Sequence, residues 1–253
     1  MIIAVVNQKG GVGKTTTSVS IAAYLALKGK KTLLLDLDAQ GNATSGLGYE
    51  KSIIKKSIYD VLVSEMPISE VIKETERKNL DLCPSNINLA AADVELASAE
   101  NRSERLKEAL KKIKKKYDYI IIDCPPSLGV LTINALVAAK KIIIPIQAEY
   151  YALEGVTALM DSYQRIKDHL NPKLDIMGVV MTMVDSRTQL SKQVTDEVSR
   201  FFGDVLFKTL IPRNVRLSEA PGFGKTINEY DRFSKGGRAY QKLVKEIIER
   251  SEQ

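Results

Sequence analysis

The segment Lys9-Gly10-Gly11-Val12-Gly13-Lys14-Thr15-Thr16 follows the apolar run Ile2-Ile3-Ala4-Val5-Val6 and precedes a helical pattern carrying Ile21 and Leu25. A short strand, a glycine-rich turn and a helix start, in that order, are what a phosphate cradle requires. Gly10, Gly11 and Gly13 let successive backbone N–H groups turn inward, and a helix opening near Lys14 adds the positive end of its dipole. Lys14 is placed to neutralise the outer phosphates of a nucleotide, and Thr15 to offer its hydroxyl to Mg2+. The strict G-x-x-x-x-G-K-[ST] pattern is broken at its first glycine, where Gln8 stands, and an additional lysine appears at Lys9.

Two carboxylate segments are candidates for the same site. Thr32-Leu33-Leu34-Leu35 runs into Asp36-Leu37-Asp38-Ala39-Gln40-Gly41-Asn42, and strand alternation puts Asp36 and Asp38 on one side of the chain. Tyr119-Ile120-Ile121-Ile122 ends in Asp123-Cys124-Pro125-Pro126, the form of a Walker B strand whose aspartate holds Mg2+ through water. An aspartate after a strand is also a common turn residue. Beside a phosphate cradle it points to phosphoryl-transfer chemistry.

The elements that must position these residues are legible as an alternation of strands and helices. Buried strands are expected at 32–36, 80–83, 119–123, 141–146 and 176–181, with a weak late one at Val205-Leu206. Asn101 with Glu104 reads as a capping box opening a helix through Lys116, and Ser234 as the cap of a last helix over 238–250. The implied fold class is α/β: a mostly parallel central sheet with helices on both faces, in one domain spanning 1–253. In such a sheet, chemistry gathers at the carboxyl ends of the strands.

Composition narrows the function classes. The 253 residues are 44% hydrophobic and 27% charged, enough for a large core. The longest apolar stretch, 129–139, stops at Lys140-Lys141 and is too short to span a bilayer. With a strand starting at residue 2, no leader is expected. Cys83 and Cys124 signal neither a disulfide framework nor a C-x-x-C metal motif, and the lone His169 argues against histidine-based chemistry. A reducing cytoplasm is the expected location.

Taken in order, the Lys9–Thr16 loop, Asp36-Leu37-Asp38-Ala39-Gln40-Gly41-Asn42-Ala43-Thr44, Ile122-Asp123-Cys124-Pro125-Pro126-Ser127, Pro212-Arg213-Asn214-Val215-Arg216-Leu217-Ser218-Glu219-Ala220-Pro221 and Tyr230-Asp231 resemble the ParA/Soj chromosome-partitioning ATPases over essentially the whole chain. The loop matches that family's deviant P-loop, K-G-G-x-G-K-T. The resemblance implies a P-loop NTPase fold and a protein that takes ATP and Mg2+ and dimerises around two ATP molecules. In that state it would bind DNA without sequence preference, associate with the nucleoid, and respond to a ParB partner by hydrolysing ATP. Forms with an N-terminal helix-turn-helix extension are not expected.

Family roles fall on matching positions. Lys9 corresponds to the signature lysine that reaches the partner's phosphates, Lys14, Thr15 and Thr16 to the Walker A residues, Asp38 to the carboxylate orienting the attacking water, and Asp123 to Walker B. Pro212 and Asn214 lie on the adenine side; a simple Pro-initiated loop is the other reading of that turn.

The formal charge of +6 permits nucleic-acid binding without requiring it. Residues 185–238 hold ten Lys/Arg against seven Asp/Glu, so distribution must decide. Arg187 and Arg216 match family positions for phosphate contact, and Lys192, Arg213, Lys225, Lys235 and Arg238 are candidates to extend that surface. The lysines of 111–116 read instead as a solvated helix end. The alternative class is a MinD-like membrane-associated regulator, which needs a basic amphipathic C-terminal helix. Here the tail mixes signs, and Leu243, Val244, Ile247 and Ile248 read as a docking face, so no membrane partner is expected.

Overall fold

The structure is a computed structural model, and it describes residues 1–150 and 152–252. Seven strands join one sheet: β1 (Ile2–Val5), β2 (Thr32–Asp36), β3 (Lys73–Glu74), β4 (Leu80–Cys83), β5 (Tyr119–Asp123), β6 (Lys141–Gln147) and β7 (Asp175–Thr182). Their order is β3-β4-β2-β5-β1-β6-β7, parallel throughout except for the short edge strand β3. Helices follow as α1 (Lys14–Leu27), α2 (Asn42–Gly46), α3 (Ile58–Leu62), α4 (Ala92–Glu95), α5 (Arg105–Lys111) and α6 (Val130–Ala138). The C-terminal half adds α7 (Glu154–His169), α8 (Gln189–Phe202), α9 (Val215–Glu219), α10 (Ile227–Asp231) and α11 (Lys235–Ser251).

The central strands read as continuous apolar runs because both faces are covered, and their two-residue period divides them between two cores. Ala4, Leu33, Leu35, Ile120 and Ile122 join one core with Leu106, Leu136 and Leu159 of α5, α6 and α7. Ile3, Val5, Leu34 and Ile121 join the other with Ile21 and Leu25 of α1 and with Tyr240, Leu243, Val244 and Ile247 of α11. The apolar face of the last helix is therefore spent on the body. Arg250 ties its end down by donating to the carbonyls of Met177, Asp204, Val205 and Leu206.

Register places the site. β5 lies between β1 and β2, with Asp123 opposite both Val5 and Asp36, so the loop leaving β1 and both carboxylate segments emerge side by side.

Three local expectations are corrected. No Asn101/Glu104 capping box forms: α5 starts at Arg105, and its Leu106 N–H donates to Asn134 Oδ1 of α6, a cap supplied by tertiary structure. That helix stops at Lys111, and Lys114–Lys116 form a separate 3-10 turn. Val205-Leu206 makes one isolated bridge, to Val179, where Gly203 at φ 53 and a 3-10 turn interrupt the chain. Ser234 does cap the last helix, accepting from the Gly237 N–H at 3.0 Å, but that helix begins at Lys235.

Candidate functional site

The loop between β1 and α1 is built for an anion. Gly11 and Gly13 sit at φ 76 and 87, and a Cβ at Gly11 would meet nothing within 4 Å, so backbone conformation rather than space requires glycine there. Gly13 caps α1 with no side-chain acceptor on the first N–H groups, and the first turn holds no acidic residue. Those donors face outward with the helix dipole behind them. The loop is pinned at both ends: Asn7 Nδ2 donates to the Pro145 carbonyl at 2.7 Å while its Oδ1 accepts from the Lys9 N–H, and the Thr182 hydroxyl donates to the Val12 carbonyl at 2.8 Å.

Lys14 is buried under this loop, its Nζ donating to the Lys9 carbonyl at 2.9 Å. Burial lowers its pKa, against the opposing pull of Asp123. Asp123 is fully buried; its Oδ1 accepts from the Ser18 hydroxyl at 2.8 Å, and its Oδ2 has no partner. Burial first, then the charge of Asp36, pushes the Asp123 pKa up to about 7, while the Ser18 and Thr15 hydroxyls hold it down. An orphaned buried carboxylate oxygen beside Thr15 and an ammonium fits a hydrated Mg2+ carrying nucleotide phosphates. When bound, the metal would supply positive charge to the outer phosphates, with Thr15 and Asp123 as its protein side.

Asp36 and Asp38 separate in role. Asp36 is fully buried and turns back into the fold, accepting from the Thr44 N–H at 2.7 Å and the Thr44 hydroxyl at 2.8 Å. Burial pushes its pKa up to about 6, with those bonds holding it down. The same Thr44 oxygen accepts from the Ser85 N–H, so Asp36 anchors the segment that carries Asp38. Asp38 is half-buried, its Oδ1 accepting from the Gln40 N–H at 2.9 Å. Thr44→Val is expected to destabilise the protein by about 1–3 kcal/mol, because the buried Asp36 carboxylate keeps the backbone N–H of residue 44 but loses its hydroxyl donor, and the Ser85 N–H loses its acceptor; denaturant unfolding of the nucleotide-free protein checks it.

The Lys9 ammonium lies 3.6 Å from Glu149, just beyond β6. Arg213 stands 3.9 Å from the same carboxylate. Pro212 and Asn214 line a cavity of about 300 Å³ together with Gly13, Thr16, Thr182 and Met183. Through Gly13 and Thr16 it borders the phosphate loop. Met183 takes a positive φ of 53 there. Asn214 also caps α9, accepting from the Arg216 N–H at 3.0 Å.

The basic candidates are spread over the C-terminal elements and are partly engaged. Arg187 makes a two-pronged contact to Asp185 at 2.9 and 2.7 Å, with its side chain 87% exposed. Arg216 on α9 donates to Glu219 at 2.9 Å and lies 3.7 Å from Asp231. Lys192 on α8, Lys225 after α9, and Lys235 and Arg238 on α11 are exposed. The lysines of 111–116 are exposed around the end of α5, apart from these elements, and Lys111 pairs with Glu108.

Sequence reasoning missed Asn7, Ser18, Glu149, Thr182 and Met183. Ser18 was within reach of the pattern, since it lies one helical turn after Lys14 on the same face. The others depend on strand neighbours far along the chain.

The chain matches the family model described as AAA domain over residues 1–176. It is 54% identical over 246 residues to the sporulation initiation inhibitor protein Soj of Bacillus subtilis, covering 97% of each chain. It is 49% identical to the chromosome-partitioning ATPase Soj of Treponema pallidum, covering 98% of this chain and 97% of that one. Among solved structures, cobyrinic acid a,c-diamide synthase from Mycobacterium smegmatis, with bound ADP and magnesium, superposes with a TM-score of 0.88 at 36% identity, covering 100% of this chain and 95% of that one. A pinned glycine-rich loop bearing two lysines, a fully buried aspartate in register beside it, and full-length likeness at this level agree: the chain belongs to the ParA/Soj family of chromosome-partitioning ATPases.

Proposed function

We propose that the protein is a nucleotide-gated DNA-binding switch. ATP binds one monomer, Lys9 of a second monomer pairs with its γ-phosphate, and the resulting sandwich dimer sets two basic surfaces on one DNA duplex. ATP hydrolysis, stimulated by a ParB-like partner, removes the bridging phosphate and splits that surface in half. Arg187 and Arg216 lead the phosphate contacts, extended by Lys192, Arg213, Lys225, Lys235 and Arg238, and DNA binding accounts for a nucleoid-associated location. The whole chain acts as one domain. The observation that carries this reading is the placement of Lys9: it sits on the phosphate loop yet faces outward, paired with a half-exposed carboxylate rather than buried with Lys14. Size exclusion and DNA mobility shift of one sample, with ADP and with ATP, test it. Dimer and shift must appear together with ATP; either one alone overturns the coupling.

The DNA contacts make an electrostatic prediction. Arg216→Ala or Arg187→Glu should weaken binding to any sequence about equally and flatten its salt dependence, each lost phosphate contact removing about 0.9 from the log–log slope. Because Asp185 already occupies Arg187, Asp185→Asn should act in the opposite sense and strengthen binding. Titrations at several salt concentrations check both, and loss confined to one sequence would indicate base reading instead.

A further inference from the structure

Five of the first seven residues of α1 carry a hydroxyl: Thr15, Thr16, Thr17, Ser18 and Ser20. Serine and threonine are neutral to unfavourable inside a helix, because their hydroxyls compete for backbone groups. Thr15 and Thr16 belong to the phosphate loop, and Thr17 shares a buried bond of 2.9 Å with the Tyr240 hydroxyl of α11. Ser18 is fully buried, stands outside the loop, and lies 2.8 Å from Asp123 Oδ1 at the end of β5.

The Ser18 hydroxyl has two acceptors within reach and one proton for them, since its Oγ is also 3.0 Å from the Lys14 carbonyl. A carbonyl inside an α-helix already accepts the backbone N–H four residues on. The carboxylate has the stronger claim, because a hydrogen bond to a charged acceptor is about twice as strong as one between neutral groups. The proton therefore goes to Asp123. Asp36, opposite Asp123 in the register of β2 and β5, is turned to Thr44 and gives Asp123 no bond. Ser18 takes Oδ1 and leaves Oδ2 as the one oxygen of this carboxylate without a protein partner.

We propose that Ser18 is a positioning residue for the metal site: its hydroxyl fixes the Asp123 carboxylate through Oδ1, so that Oδ2 is the oxygen left for the water shell of Mg2+. The proposal rests on the reading of Asp123 as the metal's protein side and goes beyond it, because Ser18 acts only through Asp123. Lys14 and Ser18 lie one turn apart on one face of α1, so a single rigid helix sets both the ammonium under the phosphate loop and the orientation of the carboxylate beside it.

The test titrates the full chain calorimetrically with ADP, once in excess Mg2+ and once in EDTA. The ratio of the two affinities measures how strongly Mg2+ supports the nucleotide. ADP has no γ-phosphate, so the proposed dimer switch stays out of the measurement. Alanine is the best helix former, so Ser18→Ala removes the bond and leaves α1 intact. It is expected to keep ADP affinity in EDTA within about twofold of the unmutated protein and to lower the ratio about tenfold or more, as removal of a group that orients a metal ligand does. Asp123→Asn should lower the ratio at least as far. The double variant Ser18→Ala/Asp123→Asn should fall no further than Asp123→Asn alone, since one residue works through the other. An unchanged ratio in Ser18→Ala, a matching loss of ADP affinity in EDTA, or losses that multiply in the double variant would each overturn the proposal. An unchanged ratio in Asp123→Asn would instead overturn the reading of Asp123 beneath it, so the two failures are told apart.

Discussion

Lys9→Ala is expected to bind ATP and Mg2+ as a monomer and to lose ATP-dependent dimerisation, and DNA binding with it. Lys9 gives up little by leaving its place in the free chain, since among the described residues its one ion pair is to Glu149 at 3.6 Å, with both side chains partly exposed, a contact of about 0–1 kcal/mol. A charge-assisted bond to a phosphate in a closed interface contributes about 1.5–3 kcal/mol, and two-fold symmetry makes two of them. Losing both corresponds to about 10²- to 10⁴-fold in the dimerisation constant. Lys14→Ala should fail differently, because Lys14 is buried under the loop it serves and its loss removes nucleotide affinity from the monomer itself. Light scattering on a sizing column at saturating ATP, with nucleotide binding measured in parallel, separates the two. An ATP-dependent dimer in Lys9→Ala would remove the trans assignment.

The phosphate loop was readable because its function resides in contiguous backbone: three glycines, two lysines and a helix start carry the geometry wherever the chain goes next. The position of Asp123 was readable for a related reason: a buried parallel strand ending in a carboxylate brings that carboxylate out beside the loop that follows the neighbouring strand. Glu149 was not, because its meeting with Lys9 follows from β6 lying next to β1, a fact of topology that local pattern does not contain. Asn101 and Glu104 show the converse case. Their spacing suited a capping box, but Asn134 arrives from α6 with an acceptor for Leu106 and a donor for the Arg102 carbonyl, so the local motif was not needed. Asp36 and Asp38, two residues apart on one strand end, looked like a pair. Thr44 claims Asp36 for the fold and leaves Asp38 at the surface of the site.

That division makes the Asp38 prediction sharp. A group that orients the attacking water acts chiefly in the transition state, so its removal should slow hydrolysis and leave ATP binding nearly intact. Asp38→Ala should therefore accumulate as an ATP-bound dimer that stays on DNA and ignores the ParB-like partner, with single-turnover hydrolysis lowered about 10²- to 10⁴-fold. Asp38 also holds a turn through the Gln40 N–H at 2.9 Å, and alanine loses that bond along with the charge. Asp38→Asn keeps an acceptor for Gln40 and removes only the carboxylate, so equal loss in both variants places the defect in the chemistry, whereas rescue by asparagine would place it in the turn. Asp123→Ala should differ from both. Its unpartnered oxygen is the one that fits a metal-bound water, so its loss should weaken Mg2+ about 10- to 100-fold, weaken ATP with it, and reduce the dimer fraction rather than trap it. The dimer fraction of the three variants at saturating ATP decides the matter: high for both Asp38 variants and low for Asp123→Ala. Hydrolysis at the unmutated rate in Asp38→Ala, or its failure to dimerise with ATP, would end the assignment of Asp38 as the water-positioning residue.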